Sequence, residues 1–132
     1  MRLLLDTHAV LWFWWDDPRL SARARAAIAD PANEKFVSIA TPWEVAIKVS
    51  LGKLDIGGPY AGFFREFMPR SAFEWMPLDD RHFERLTELP FLHRDPFDRL
   101  LVSQALVEGI ALVSREQIFD AYGVDRIWRD TT

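Results

Sequence analysis

The sequence contains no cysteine. That removes disulfides, thiolate zinc sites, iron–sulfur clusters and cysteine nucleophiles together. No stretch approaches the roughly eighteen apolar residues that a membrane-spanning helix needs. The apolar start, Met1-Arg2-Leu3-Leu4-Leu5, is cut short by Asp6. A secretory signal requires a longer apolar region and a small-residue cleavage site, so a cytoplasmic protein with no membrane association is expected. Internal repeats, low-complexity tracts and Gly/Ser-rich linkers are absent as well. Basic residues are in deficit: sixteen Lys and Arg stand against twenty Asp and Glu, a formal net charge of −4. Such a balance argues against a broad basic face for nucleic acid. It leaves open a protein that reaches phosphate through metal ions.

What is present is an ordinary globular composition, 49% apolar and 27% charged over 132 residues. One domain of that size, 1–132, buries roughly two-thirds of the surface of its unfolded chain. Short apolar runs alternate with capped amphipathic segments. Strands are predicted over 2–5, 35–39, 72–76 and 110–113, with a short fifth at 126–128. Helices are predicted after Ser21, from Thr41 to Gly52, over 59–68, after Asp79 with Phe83 and Leu86 inward, and after Asp95. This alternation implies an α/β fold, a central, mostly parallel sheet of four to five strands flanked by helices.

Ligands of such sheets bind beyond the carboxyl ends of the strands, so functional acids should follow a strand or open the next helix. Asp6, Glu44, Asp98 and Glu116 are the acids singled out on this ground. Asp6 ends the first strand, Glu44 and Asp98 lie in the first turns of their helices, and Glu116 follows Leu112-Val113-Ser114. Carboxylates gathered at one rim repel unless a cation joins them, and oxygen ligands without Cys or paired His favour Mg²⁺ or Mn²⁺ over zinc. Each acid also has a structural reading. Thr41 with Glu44 matches a capping box, Asp95 with Asp98 resembles one, and Glu116 can complement a helix dipole. The coincidence of all four favours a site.

Leu3-Leu4-Leu5-Asp6-Thr7-His8-Ala9 resembles the opening motif of PIN-domain ribonucleases. Thr41-Pro42-Trp43-Glu44-Val45-Ala46-Ile47-Lys48 matches the middle motif. His93-Arg94-Asp95-Pro96-Phe97-Asp98-Arg99, continuing to Leu112-Val113-Ser114-Arg115-Glu116, is similar to the second half of VapC-type toxins of toxin–antitoxin modules. The resemblance spans essentially the whole chain in the family's order. It implies a single PIN-like domain acting as a metal-dependent endoribonuclease, with Asp6, Glu44 and Asp98 as core acids. It also implies a fourth acid where most relatives have Asp and this chain has Glu116; Asp120 is a weaker substitute. Asp95 is then a cap, an outer-shell ligand or both. An RNA substrate, a cognate antitoxin and a second copy of the chain are the partners implied.

Phosphodiester hydrolysis needs a nucleophile, charge relief on the phosphate and stabilisation of the leaving oxygen. Asp6 and Asp98 are assigned to a first ion, Glu44 to that ion or the attacking water, and Glu116 to any second ion. Thr7, Ser114, Lys48, Arg94, Arg99 and Arg115 are candidates for ligand or phosphate contacts, each with an ordinary structural alternative. His8 and His93 are read as structural or substrate-contacting, not as general bases. The run Trp12-Phe13-Trp14-Trp15 cannot all face one side of a helix and suggests a protein interface. Trp43, Trp75 and Trp128 are assigned to the core. The competing class is a non-catalytic PIN-like module that binds RNA or protein with an idle acidic pocket. Phosphotransfer domains fit worse, because His8 replaces a second acid after Asp6 and no lysine follows Lys53. Without the four acids the remainder balances, 20 − 4 = 16 acids against sixteen bases.

Overall fold

The computed structural model describes residues 1–129. The expected domain end at 132 lies outside the described residues. The chain runs β1 (Arg2–Leu5), α1 (Thr7–Trp14), α2 (Ala22–Ala29), β2 (Glu34–Ser38), α3 (Ala40–Ser50), α4 (Phe63–Arg70) and β3 (Glu74–Met76). It continues through α5 (Asp80–Glu88), α6 (Pro96–Glu108), β4 (Ala111–Val113), a 3₁₀ turn (Gln117–Tyr122) and β5 (Arg126–Ile127). The strands form one sheet in the order β3-β2-β1-β4-β5, and every neighbouring pair is parallel. The α/β reading holds, with five strands and no antiparallel member.

β1 is central because Leu3, Leu4 and Leu5 are all fully buried, as a strand covered on both faces requires. Its alternation divides the core. Leu3 and Leu5 join Val37 and Val113 under α1, α2 and α4, whereas Leu4 and Leu112 pack with Leu101, Val102 and Ala105 of α6. Gly109, at φ 64°, takes the left-handed conformation that ends α6 and returns the chain to β4. Among the described residues, no helix is long and apolar enough to cross a membrane.

Four local expectations are corrected. α4 starts at Phe63 rather than Pro59, because Gly62 adopts φ 79° and blocks an earlier start. On α5 the inward positions are His82 and Leu86, followed by Leu89 just past the helix end, while Phe83 is 44% exposed. The tryptophan run is not an open patch. Trp12 is buried, and Trp14 lies among Phe63, Phe64, Phe67 and Phe73 with ring centroids 5.3–5.8 Å away. Its indole N–H donates to Ser71 Oγ at 3.0 Å. α4 is therefore the cover that the sequence left unidentified. Trp128 is in the core as expected, but Trp43 and Trp75 are 63% and 39% exposed.

Candidate functional site

β1 pairs with β2 on one side and β4 on the other, so the strand order reverses at β1. The segments leaving β1, β2 and β4 diverge there and open a cleft. Asp6 is the residue after β1, Glu44 lies in α3 after β2, Asp98 in the first turn of α6, and Glu116 just beyond β4. All four line one cavity of about 200 Å³, together with Thr7, His8, Lys48 and Asp95.

Each side chain is held differently. Asp6 caps α1, its Oδ1 accepting the Ala9 N–H at 2.8 Å. Glu44 is buried with both oxygens engaged: Thr7 Oγ1 donates to Oε1 at 2.6 Å and Lys48 Nζ to Oε2 at 2.7 Å. It forms no capping box with Thr41, because α3 begins at Ala40, whose N–H donates to Ser38 Oγ. Asp95 caps α6, its Oδ1 accepting from the N–H groups of Phe97 and Asp98 at 2.9 and 3.0 Å. Asp98 is itself oriented by His93. Because His93 Nδ1 accepts the Arg94 N–H, the proton sits on Nε2, which donates to Asp98 Oδ2 at 2.8 Å. The Ser114 hydroxyl accepts from the Glu116 N–H and contributes a hydrogen bond to Asp6.

The cavity is electrostatically incomplete as a protein-only site. Burial pushes the Asp6 carboxyl up to about 7, against hydrogen bonds from Ser114 and Ala9 and with the help of the Asp98 and Glu116 charges. Burial and the neighbouring Asp95 charge raise Asp98 to about 6. Burial and the Lys48 charge lower His8, which stacks on Trp12 at 5.1 Å. Burial opposes the Lys48 charge, but the bond to Glu44 together with the charges of Glu44, Asp95 and Asp98 outweighs it and the ammonium is raised. A set of hard oxygen donors that resist ionising together fits a hard divalent cation, which would favour their charged forms.

Other candidates lie elsewhere. Asp120 points outward to Arg126, Oδ1 to Nε at 2.8 Å, and does not line the cavity. Arg99 is buried and donates to the carbonyls of Pro90 and Leu89, closing the end of α5, so it is not a rim contact for phosphate. Sequence reasoning missed the orienting bond from His93. Its only trace was the spacing of five residues to Asp98. Asp79, His82 and Glu108 also bring possible ligand atoms within 4.8 Å of one another. There, His82 Nδ1 accepts the Asp79 N–H, and its other ring nitrogen bonds Glu108 at 3.0 Å. Both nitrogens of His82 are thus occupied, Nδ1 in capping α5 and Nε2 in tying α5 to α6, and Glu108 lies ten residues or about 15 Å of helix from Asp98. A separate cavity of about 630 Å³ beside Ile56, Pro59 and Phe67 contains none of the converging acids.

Known proteins resemble this chain in sequence and fold. The chain is 36% identical over 69 residues to Ribonuclease VapC16 of Mycobacterium tuberculosis (strain ATCC 25618 / H37Rv), a match covering 49% of each chain. The matched stretch thus spans about half the length of that relative. Among solved structures, VapBC2 from Rickettsia felis bound to a promoter DNA fragment superposes with a TM-score of 0.67 at 15% identity. That match covers 96% of this chain and 99% of the other. VapBC-1 from nontypeable Haemophilus influenzae gives 0.65 at 17% identity, covering 98% of each chain. The family model for the PIN domain matches residues 3–125. With that match extending from β1 to the approach of β5, the chain belongs to the PIN domain family.

Proposed function

We propose that this PIN domain, extending over 1–132, is a Mg²⁺- or Mn²⁺-dependent endoribonuclease. It would act in the cytoplasm as the toxin of a VapBC-type toxin–antitoxin pair, as a homodimer restrained by its cognate antitoxin. One observation carries the reading: Asp6, Glu44, Asp98 and Glu116, from four separate segments, line a single cavity at the carboxyl edge of the sheet. The likeness to a curated VapC ribonuclease and to VapBC complexes supports the same class.

In this reading Asp6 and Asp98 hold the first ion and Glu116 contributes to a second. A divalent cation there supplies positive charge to the phosphate and acidifies a water. Thr7 and Lys48 fix Glu44, so its carboxylate sits in one orientation from which it can align a water or share the first ion. His93 turns Asp98 toward the cavity, leaving Oδ1 clear of that hydrogen bond. Lys48 balances Glu44 before RNA arrives and adds a cation beside the incoming phosphate. Glu116, one methylene longer than Asp, reaches from the segment after β4 with no side-chain hydrogen bond among the described residues.

The test is cleavage of total cellular RNA by folded protein freed of antitoxin. Activity should require Mn²⁺ or Mg²⁺, vanish with EDTA and fall at least about 100-fold in Asp98→Asn, since even outer-shell changes cost 10- to 100-fold. Equal cleavage by Asp98→Asn overturns the assignment. Intact RNA with metal-loaded wild type leaves the non-catalytic RNA- or protein-binding module instead.

A further inference from the structure

The acidic cavity has a neighbour of opposite sign. Glu116 lines both, and beyond it lies a cavity of about 530 Å³ bounded by Arg115, Arg126, Trp128 and Arg129. Three arginines therefore line a cavity beside a site built from carboxylates. They are not equivalent. Arg126 is committed to structure, bonding the Asp120 carboxylate at 2.8 and 3.0 Å and the Ser114 carbonyl at 3.1 Å. Arg115 and Arg129 are exposed and enter no ion pair among the described residues.

Arg115 is nevertheless held. Its guanidinium carbon lies 4.9 Å from the ring centre of Trp12, which is buried. An aromatic face restrains a guanidinium without neutralising it and leaves its edge donors available. The same indole stacks on His8, which lines the acidic cavity, and lies 6.1 Å from Trp128, which lines the arginine cavity. Trp12 thus fixes the spacing between the two.

We propose that the arginine cavity is a phosphate subsite. It receives a phosphodiester of single-stranded RNA neighbouring the one in the acidic cavity, with Arg115 and Arg129 as donors. The proposal rests on the endoribonuclease reading above. A chain with a net charge of −4 repels a polyanion at long range, so paired guanidiniums beside the acids supply the local attraction the substrate needs. Protein carboxylates are the other anions that such a cavity suits.

The test measures binding of a fluorescein-labelled twelve-nucleotide oligouridylate by anisotropy, in Ca²⁺ to slow hydrolysis, across 50–200 mM NaCl. Wild type is compared with Arg115→Gln/Arg129→Gln and with Arg23→Gln/Arg65→Gln, which removes two exposed charges from α2 and α4. Loss of two phosphate contacts on a single strand lowers the slope of log K against log[salt] by about 1.4. The affinity deficit of the first double variant is then about sevenfold larger at 50 mM than at 200 mM, while the control follows wild type. Equal slopes in wild type and the Arg115/Arg129 variant overturn the subsite, and are also the result if the cavity serves an acidic protein segment. A reduced slope in a protein that never cuts RNA in Mn²⁺ upholds the subsite and overturns the hydrolytic reading alone. A preparation that cuts RNA with unchanged slopes does the reverse.

Discussion

At Asp6 one carboxyl group caps α1 and also faces four other acids in a cavity that raises it to about 7. The two roles are separable by substitution, because Asn keeps the capping oxygen and discards the charge. The folded-state value lies above that of the unfolded chain, so the unfolded chain ionises first as pH rises. Metal-free stability therefore falls between about pH 4 and 7 and stays low above that. Asp98, raised to about 6, adds a drop of the same sign. Thermal melts in EDTA should show this decline, and Asp6→Asn should flatten it and melt several degrees higher at pH 7.5. A variant that melts lower at every pH counts against the electrostatic account. Asp6, Asp98 and Glu116 were legible in the sequence because each follows a strand or opens a helix; Glu44, read as a first-turn residue, lies one turn further along α3, since that helix already begins at Ala40. Their partners were less so. Thr7 and Glu44 meet across 37 positions, and no local periodicity reports a bond of that span.

α6 shows how an element presents a side chain. Asp95 accepts two backbone N–H groups, one of them from Asp98, so the cap fixes the turn from which Asp98 projects. Asp95→Asn should leave stability nearly unchanged, whereas Asp95→Ala should lower it by about 1 kcal/mol in denaturant melts. If Asp95→Asn nonetheless reduces Mn²⁺ affinity tenfold or more by titration, the residue also serves the ion. α4 makes a second prediction at this scale. Trp14→Ala removes the ring on which Phe63, Phe64, Phe67 and Phe73 converge, and should cost about 3 kcal/mol by chemical unfolding. A loss below about 1 kcal/mol would mean that α4 covers α1 without depending on it. Helix starts at Ser21, Asp79 and Asp95 were readable because a capping side chain is a local signal. The start of α3 was misread, since Glu44 satisfies the spacing of a capping box while its carboxylate serves a distant threonine.

For the whole molecule, alternating strands and helices were enough to predict a parallel α/β sheet, since they leave few other arrangements. The order β3-β2-β1-β4-β5 was not, because nothing in a short apolar run names its neighbours. That order places the acidic cavity at the junction of segments from both halves of the chain, so an ion bound there stabilises the entire fold. Mn²⁺ at 100 times its dissociation constant should add about 2.7 kcal/mol to wild type by thermal shift, and markedly less to Asp98→Asn. Equal shifts would place the ion elsewhere, with Asp79, His82 and Glu108 the next group to mutate. The pairing of β1 with β4 carries a further consequence for synthesis. Leu3 registers with Ala111 and Leu5 with Val113, so the first strand made waits for one of the last. Until the ribosome has released residue 116, the growing chain has no complete carboxylate set. The delay follows from the place of β4 and Glu116 late in the chain, beside a strand that is made first.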